Sequence, residues 1–353
     1  MGETILITGA AGYIGSHVAE ALLTDSEWGG RRPRLILVDD LSTGHREFID
    51  ALRDIAFERG LPEPEFHAVS LLQGEALERI LAEVRPFAVL HFAAFIAVGE
   101  SVEKPDLYFE NNVEGSIRLL SAMKTAGVKN LVFSSTAAVY GKRDPVLART
   151  PLKETDAVGP ENPYGETKLQ MEEAIARAGR EWGLKSVIFR YFNASGAGSS
   201  GRLGEWHVPE THLIPLVLRA AGSKTTLKVF GTDYETRDGS GVRDYIHVSD
   251  LADAHLRALA RLGSGQESGS TIYNLGTERG TTVLEVVKAA EQVLGIKVPF
   301  EVHPRRPGDA ETLIADASKA QNELGWRPRH SSIEEILKSA WEWEQALKSM
   351  PRQ

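Results

Sequence analysis

Short, uninterrupted apolar runs alternate with helix-like stretches through the first half of this chain. Thr4-Ile5-Leu6-Ile7-Thr8 is the first run, and Ser16 to Leu23 follows it with a helical pattern. Leu35 to Val38, Phe66 to Val69, Ala88 to Phe92, Leu131 to Ser134 and Val187 to Arg190 continue the series. Strands that are apolar throughout, with helices between them, belong to a parallel sheet covered on both faces. Right-handed crossovers make such a sheet doubly wound. Two stretches read as surface insertions: Asp25 to Arg34, where Trp28-Gly29-Gly30-Arg31-Arg32-Pro33 breaks any helix, and roughly Asp50 to Pro64.

After Asn193 the texture changes to Gly/Ser-rich loops mixed with short elements, and Gly196 to Gly204 and Asp233 to Gly241 read as ligand-facing loops. The 353 residues exceed the length, about 250–300, at which one hydrophobic core stops growing. The expected fold is α/β, with a doubly wound parallel sheet in residues 1–192. A smaller α/β lobe occupies 193–353, and about 242–276 return to the first domain.

Composition narrows the chemistry. A net charge of −9 argues against a polyanion binder, so no nucleic-acid partner is expected. There is no cysteine, which removes disulfides and thiolate metal sites. The ten histidines show no His-Glu-x-x-His spacing or similar cluster, and no metal is expected. No apolar run reaches the roughly 18 residues of a membrane helix, and the first residues enter a strand without a signal-like segment. These features predict a soluble, cytoplasmic enzyme.

Thr8-Gly9-Ala10-Ala11-Gly12-Tyr13-Ile14-Gly15 joins the first strand to the first helix, the setting in which a glycine triad binds a dinucleotide. Gly9 permits the tight turn, Gly12 lets backbone approach a pyrophosphate, and Gly15 allows close helix packing. The anion would rest on the helix N-terminus. Asp39, just after the second strand, would accept bonds from ribose hydroxyls and repel a 2′-phosphate, which favours NAD over NADP. The expected sheet is therefore of the Rossmann type.

Tyr164-Gly165-Glu166-Thr167-Lys168 follows Asn162-Pro163, a helix-entry signal, and puts a phenol and an amine on one helical face. Ser134-Ser135-Thr136 ends an apolar strand, where ligands of such sheets bind. A lysine charge about 6 Å from the phenol, at an effective dielectric of about 20, contributes about 3 kcal/mol, or about 2 pKa units. Oxidised nicotinamide would add a similar amount. Tyr164 is thus expected to titrate near ~6–8 and serve as a base, with Thr136 bonding the reacting alcohol.

These residues, with His91-Phe92-Ala93-Ala94, Val98-Gly99-Glu100-Ser101, Asn111-Asn112-Val113 and Ser134-Ser135-Thr136-Ala137-Ala138-Val139-Tyr140-Gly141, resemble the extended short-chain dehydrogenase/reductase family. Arg190-Tyr191-Phe192-Asn193, Gly241 to Val248, Tyr273-Asn274-Leu275-Gly276 and Arg305-Arg306-Pro307-Gly308-Asp309 extend the resemblance from Ile5 to about Trp343. The resemblance implies reversible C4 epimerisation of a UDP-hexose (UDP-glucose and UDP-galactose) through a 4-keto sugar, with NAD bound and recycled. Catalytic roles fall to Tyr164, Lys168 and Thr136. Implied cofactor contacts are Gly9, Gly12, Tyr13, Ile14, Asp39, Ser42, Gly44, Ser70, Leu71, Phe92, Ala93, Ala94, Asn112, Ser134, Tyr164, Lys168 and Tyr191. Implied substrate contacts are Thr136, Tyr164, Asn193, Leu213, Lys228, Phe230, Arg243, Arg306, Asp309 and Leu313. A homodimer through Asp106 to Thr125 and Tyr164 to Glu181 is implied too.

The chain departs from the family pattern at several positions. Val69-Ser70-Leu71 lacks the usual aspartate near the adenine, and Ile96 replaces a lysine near the cofactor phosphates. Thr136 stands for serine in some relatives, and Leu313 occupies the position that admits or excludes N-acetylated sugars. Related dehydratases and decarboxylases carry acidic residues directly after the Thr136 equivalent; Ala137 and Ala138 argue against dehydration. Epimerases of UDP-GlcNAc, UDP-arabinose or UDP-glucuronate, and a non-catalytic NAD-sensing protein, are the alternatives.

Overall fold

Seven strands form one sheet whose order is the Ser270–Leu275 strand, then β6 (Lys185–Tyr191), β5 (Asn130–Thr136), β4 (Ala88–His91), β1 (Thr4–Thr8), β2 (Arg34–Asp39) and β3 (Glu65–Ala68). The structure is a computed structural model and describes residues 3–24, 33–141, 150–223, 225–265, 267–306 and 310–349. From β5 to β3 the pairs are parallel, with Ile5 opposite Leu35 on one side and Ala88 on the other. The run 3-2-1-4-5-6 is the doubly wound dinucleotide-binding order, as the apolar runs predict. Ile5, Leu6, Ile7, Ile36, Leu37, Val89 and Leu90 are all fully buried, so these strands are apolar because both faces of the sheet are covered.

The helices of this region are α1 (Tyr13–Thr24), α2 (Arg46–Glu58), α3 (Gly74–Val84), α4 (Val98–Glu103), α5 (Pro105–Tyr108), α6 (Gly115–Ala126) and α7 (Pro163–Trp182). α1 packs on α2, and α3 on α6. The expected insertion at roughly Asp50 to Pro64 is instead helical as far as Glu58. Phe48, Ile49, Leu52, Ile55 and Ala56 recur at helical spacing and are buried, which overrides the polar appearance of the stretch. Most of the other expected insertion, Asp25 to Arg32, lies outside the described residues.

Later helices are α8 (Leu213–Gly222), α9 (Val248–Gly263), α10 (Val283–Leu294), α11 (Ser318–Leu324) and α12 (Ile333–Ser349). α8, α10 and α12 share one apolar core around Val217, Leu218, Val286, Ala290, Ile336 and Leu337. Thr282 and Glu285 form a capping box that fixes the start of α10. Three small sheets accompany them: Tyr245–His247 with Asn193–Ser195, Phe300–His303 with Leu227–Phe230, and Val242–Arg243 between Thr281–Thr282 and Thr312–Leu313.

The chain divides into two compact units. One comprises Met1–Gly141, Ala157–Arg190 and Ala252–Tyr273; the other comprises Lys142–Asp156, Tyr191–Leu251 and Asn274–Gln353, each over its described residues. The segment that returns to the first unit is narrower than the expected 242–276 and begins inside α9.

Candidate active site

Asn162 caps α7 by accepting a bond from Gly165 N–H (2.9 Å), and Pro163 takes the first helical turn, where its missing N–H costs nothing. Tyr164 and Lys168 then follow one turn apart. Lys168 is buried, its ammonium donates to Ser134 O (2.9 Å) and lies 4.9 Å from the Phe133 ring centroid. Thr136 Oγ1 accepts from Ala138 N–H (3.2 Å), and its hydroxyl favours the ionised form of the Tyr164 phenol. Strand β5 and helix α7 thus bring all three predicted catalytic residues together.

Burial dominates their electrostatics. It pushes Tyr164 up to about 12, against the opposing effect of the Thr136 hydroxyl, although the residue is only half-buried. It pushes Lys168 down to about 7, while the Glu172 carboxylate works to keep the amine charged. The expected titration of Tyr164 near ~6–8 includes the charge of bound oxidised nicotinamide; in the cofactor-free chain desolvation raises the phenol instead. Ionisation of Tyr164 near neutrality needs a further positive charge.

Glu172 was not among the predicted residues. It stands one turn beyond Lys168, receives bonds from Ser135 Oγ (2.5 Å) and from Arg190 Nε and Nη2 (3.0 and 2.5 Å), and is buried with Arg190. Its position at i+4 from Lys168 and i+8 from Tyr164 was the available signal. Asn112 lies in a π-helical turn, Phe109–Glu114, and holds Phe95 N–H and O (2.8 and 3.0 Å) and Thr167 Oγ1 (3.2 Å). Such turns are frequent at functional sites.

The glycine loop fits a dinucleotide. Gly9 has φ +69, and a Cβ there would lie 2.5 Å from Ala93 N; a Cβ on Gly15 would meet Gly9 O at 2.2 Å. No acidic residue stands in the first turn of α1 to compete with a bound phosphate. Asp39 is buried, which raises its pKa, and its carboxylate accepts from Leu41 and Ala11 N–H (2.8 and 3.0 Å). A cleft beside it is lined by Asp39, Ser42, Leu71, Ala93 and Ala94 of the predicted set, together with Asp40, Thr43, Phe95 and Asn111.

Other predicted cofactor residues lie apart from that cleft wall. The Gly44 backbone packs on Ala11 and Asp39, and Ser70 Oγ accepts from Leu72 N–H (3.3 Å). Phe92 turns its ring to His255 (4.9 Å), Ser134 bonds His255 through Oγ (3.2 Å), and Tyr13 packs edge-on to His17. Ile14 opens α1, and Tyr191 ends β6.

In the second unit a cavity of about 550 Å³ gathers Lys228, Phe230 and Arg306 with Leu216, Arg219 and Lys348. That volume is typical of small-molecule sites. The Arg306 guanidinium lies 3.9 Å over the Phe230 ring. Leu213 begins α8, which contributes Leu216 and Arg219 to the wall. Leu313 pairs in register with Arg243, and Asn193 N–H donates to Asp244 O (3.0 Å). Asp309 lies outside the described residues. The buried Asp244 carboxylate, absent from the predicted set, accepts from Thr277, Glu278 and Ala315 N–H (2.8–3.2 Å) and ties those loops together.

Residues 5–276 match the profile of the NAD dependent epimerase/dehydratase family. The chain belongs to this family. It is 48% identical to a UDP-glucose 4-epimerase of Rhizobium leguminosarum bv. trifolii over 97% of both chains. Among solved structures of the family, a UDP-glucose-4-epimerase of Stenotrophomonas maltophila with bound NAD and formylated UDP-arabinopyranose superposes with a TM-score of 0.89. It is 39% identical, over 98% of this chain and 99% of that one. The UDP-glucose 4-epimerase of Bifidobacterium longum in complex with NAD+ and UDP gives 0.87 at 37% identity, over 97% and 98%.

Proposed function

We propose that the chain is a UDP-hexose 4-epimerase that interconverts UDP-glucose and UDP-galactose with NAD as a bound, recycled cofactor. The observation that carries this reading is the Thr136–Tyr164–Lys168 arrangement followed by two alanines, Ala137 and Ala138. It supplies a base and no acid for elimination.

The glycine loop, Asp39 and Lys168 would hold the cofactor. NAD, when bound, would supply a positive charge and the capacity to accept and return hydride at sugar C4. Tyr164 then removes the proton of the 4-hydroxyl, with Thr136 bonding the reacting oxygen. Lys168, whose charged form Glu172 favours against desolvation, would stabilise the phenolate. After the 4-keto sugar turns its other face, Tyr164 returns the proton. Lys228, Arg243 and Arg306 would grip the UDP moiety, since guanidinium forks suit phosphate oxygens. Phe230 offers the uracil a stacking face, and Leu313, beside Arg243, borders the sugar.

Exposed apolar residues on the first proposed pairing helix, Leu107 and Ile117, support a homodimer. A monomer by sedimentation equilibrium overturns that part. Among the described residues no helix is long and apolar enough to cross a membrane. A cytoplasmic location belongs to the same reading.

Tyr164→Phe tests the catalytic assignment. Turnover is expected to fall about 10³-fold, within the usual range for a general base, while NAD stays bound. Unchanged turnover contradicts the assignment.

A further inference from the structure

The segment leading into α8 carries Glu-x-His-x-x-Glu-x-His: Glu205, His207, Glu210 and His212. The expectation of no similar histidine cluster overlooked this spacing, which differs from His-Glu-x-x-His. The fold gathers one donor atom from each residue within 4.8 Å of the others. His212 Nδ1 lies 2.9 Å from Glu205 Oε1 and 3.2 Å from Glu210 Oε1. His207 Nδ1 lies 3.5 Å from Glu205 Oε1 and 3.6 Å from Glu210 Oε2. Four N and O ligands about 2.0–2.1 Å from a tetrahedral zinc stand about 3.3–3.4 Å from one another. The four imidazole–carboxylate separations, which involve both Glu210 oxygens, straddle that value.

The cluster is also built into the fold. The carboxylates of Glu205 and Glu210 are only 6% and 2% exposed. Trp343 Nε1–H holds Glu205 O (2.9 Å), and Glu210 Oε1 accepts from the Thr211 and His212 amides (2.8 Å each). Glu210 Oε2, by contrast, is buried and accepts no hydrogen bond. An acceptor left so in the interior is costly, and a cation satisfies it. The nearest fixed cation outside the cluster, Arg219, stands 3.8 Å from Glu210 Oε2 and is held by Glu344 (Nε–Oε1 2.9 Å). Two carboxylates and two neutral imidazoles match a divalent ion in charge and in donor type.

We propose that Glu205, His207, Glu210 and His212 bind one divalent transition-metal ion, with zinc the best fit. The ion pins this segment to the start of α8, the helix that lines the second unit's cavity. Its role is structural, and it stands whether or not that cavity takes the nucleotide.

The test uses full-length, tag-free protein carrying its own cofactor, treated with chelator, dialysed and titrated with ZnCl₂. Calorimetry and metal analysis are expected to give one zinc per chain and a raised unfolding temperature. Co²⁺ in its place is expected to give the intense visible bands of a four-coordinate site. Glu205→Gln and His207→Asn should each lower zinc affinity at least about 100-fold, the upper end of what loss of a mere outer partner costs. His303→Gln, outside the cluster, should leave stoichiometry intact. If Glu205→Gln fails to fold, the more exposed His207→Asn decides. Substoichiometric zinc in the wild type, or full binding in the variants, overturns the proposal and leaves an ion-pair cluster only.

Discussion

Lys168 and Arg306 are both cations assigned to ligands, yet their surroundings are opposite. Lys168 is buried on α7, bonded to Ser134 O and backed by a Glu172 that is itself locked to Arg190. Arg306 is exposed and lies over the Phe230 ring. The first is set by the fold before any ligand arrives, and its protonation is governed by desolvation. The second keeps its charge in water and gains its energy from what it touches. Disturbing the first should therefore damage the protein and its chemistry, whereas disturbing the second should weaken only the hold on substrate.

Glu172→Gln carries the largest expected effect. It leaves Arg190 buried without its charge partner, so stability should fall by about 3–5 kcal/mol in denaturant unfolding. A loss below 1 kcal/mol would show that the buried pair does not organise α7, erasing the contrast.

Arg306→Gln comes next, on the other side of the comparison. Loss of charge-assisted bonds to a diphosphate is worth about 1.5–3 kcal/mol, or roughly 10–100-fold in KM for the UDP-sugar. Turnover and unfolding midpoint should hardly move. A collapse of kcat with unchanged KM would place Arg306 with the chemistry instead.

The smallest effect is a pH slope. Lys168 sits at about 7 in the folded, cofactor-free chain and near its ordinary value of about 10.4 when unfolded. Between those values the unfolded chain holds more protons, so the lysine's cost is full below pH 7 and is relieved as pH rises. Stability of the cofactor-free protein should therefore increase from pH 7 toward 10, by up to about 1.4 kcal/mol per pH unit from this group. Lys168→Met should flatten the slope. An unchanged slope would mean that Lys168 is not desolvated.

The parts legible in the sequence were those encoded by local pattern. Ile5 to Ile7 read as a buried strand because period and residue type agree, and Asn162-Pro163 announced α7 through capping chemistry. The glycine loop was legible because strand, turn and helix follow one another directly. What escaped was masked by local charge or depends on contacts distant in sequence. α2 was hidden because Arg53, Asp54 and Glu58 mask a five-residue apolar stripe. Glu172 matters through Arg190, and the Glu205–His212 cluster is anchored by Trp343. The burial of Tyr164 was not legible, because a pairwise charge can be guessed from spacing, but burial cannot.

The most direct test of the central claim is interconversion of UDP-glucose and UDP-galactose by the purified protein with no added NAD, followed from both sides. The account predicts the same equilibrium mixture from either sugar and no accumulation of free reduced cofactor. No product from either sugar, from protein shown to carry NAD, would contradict it.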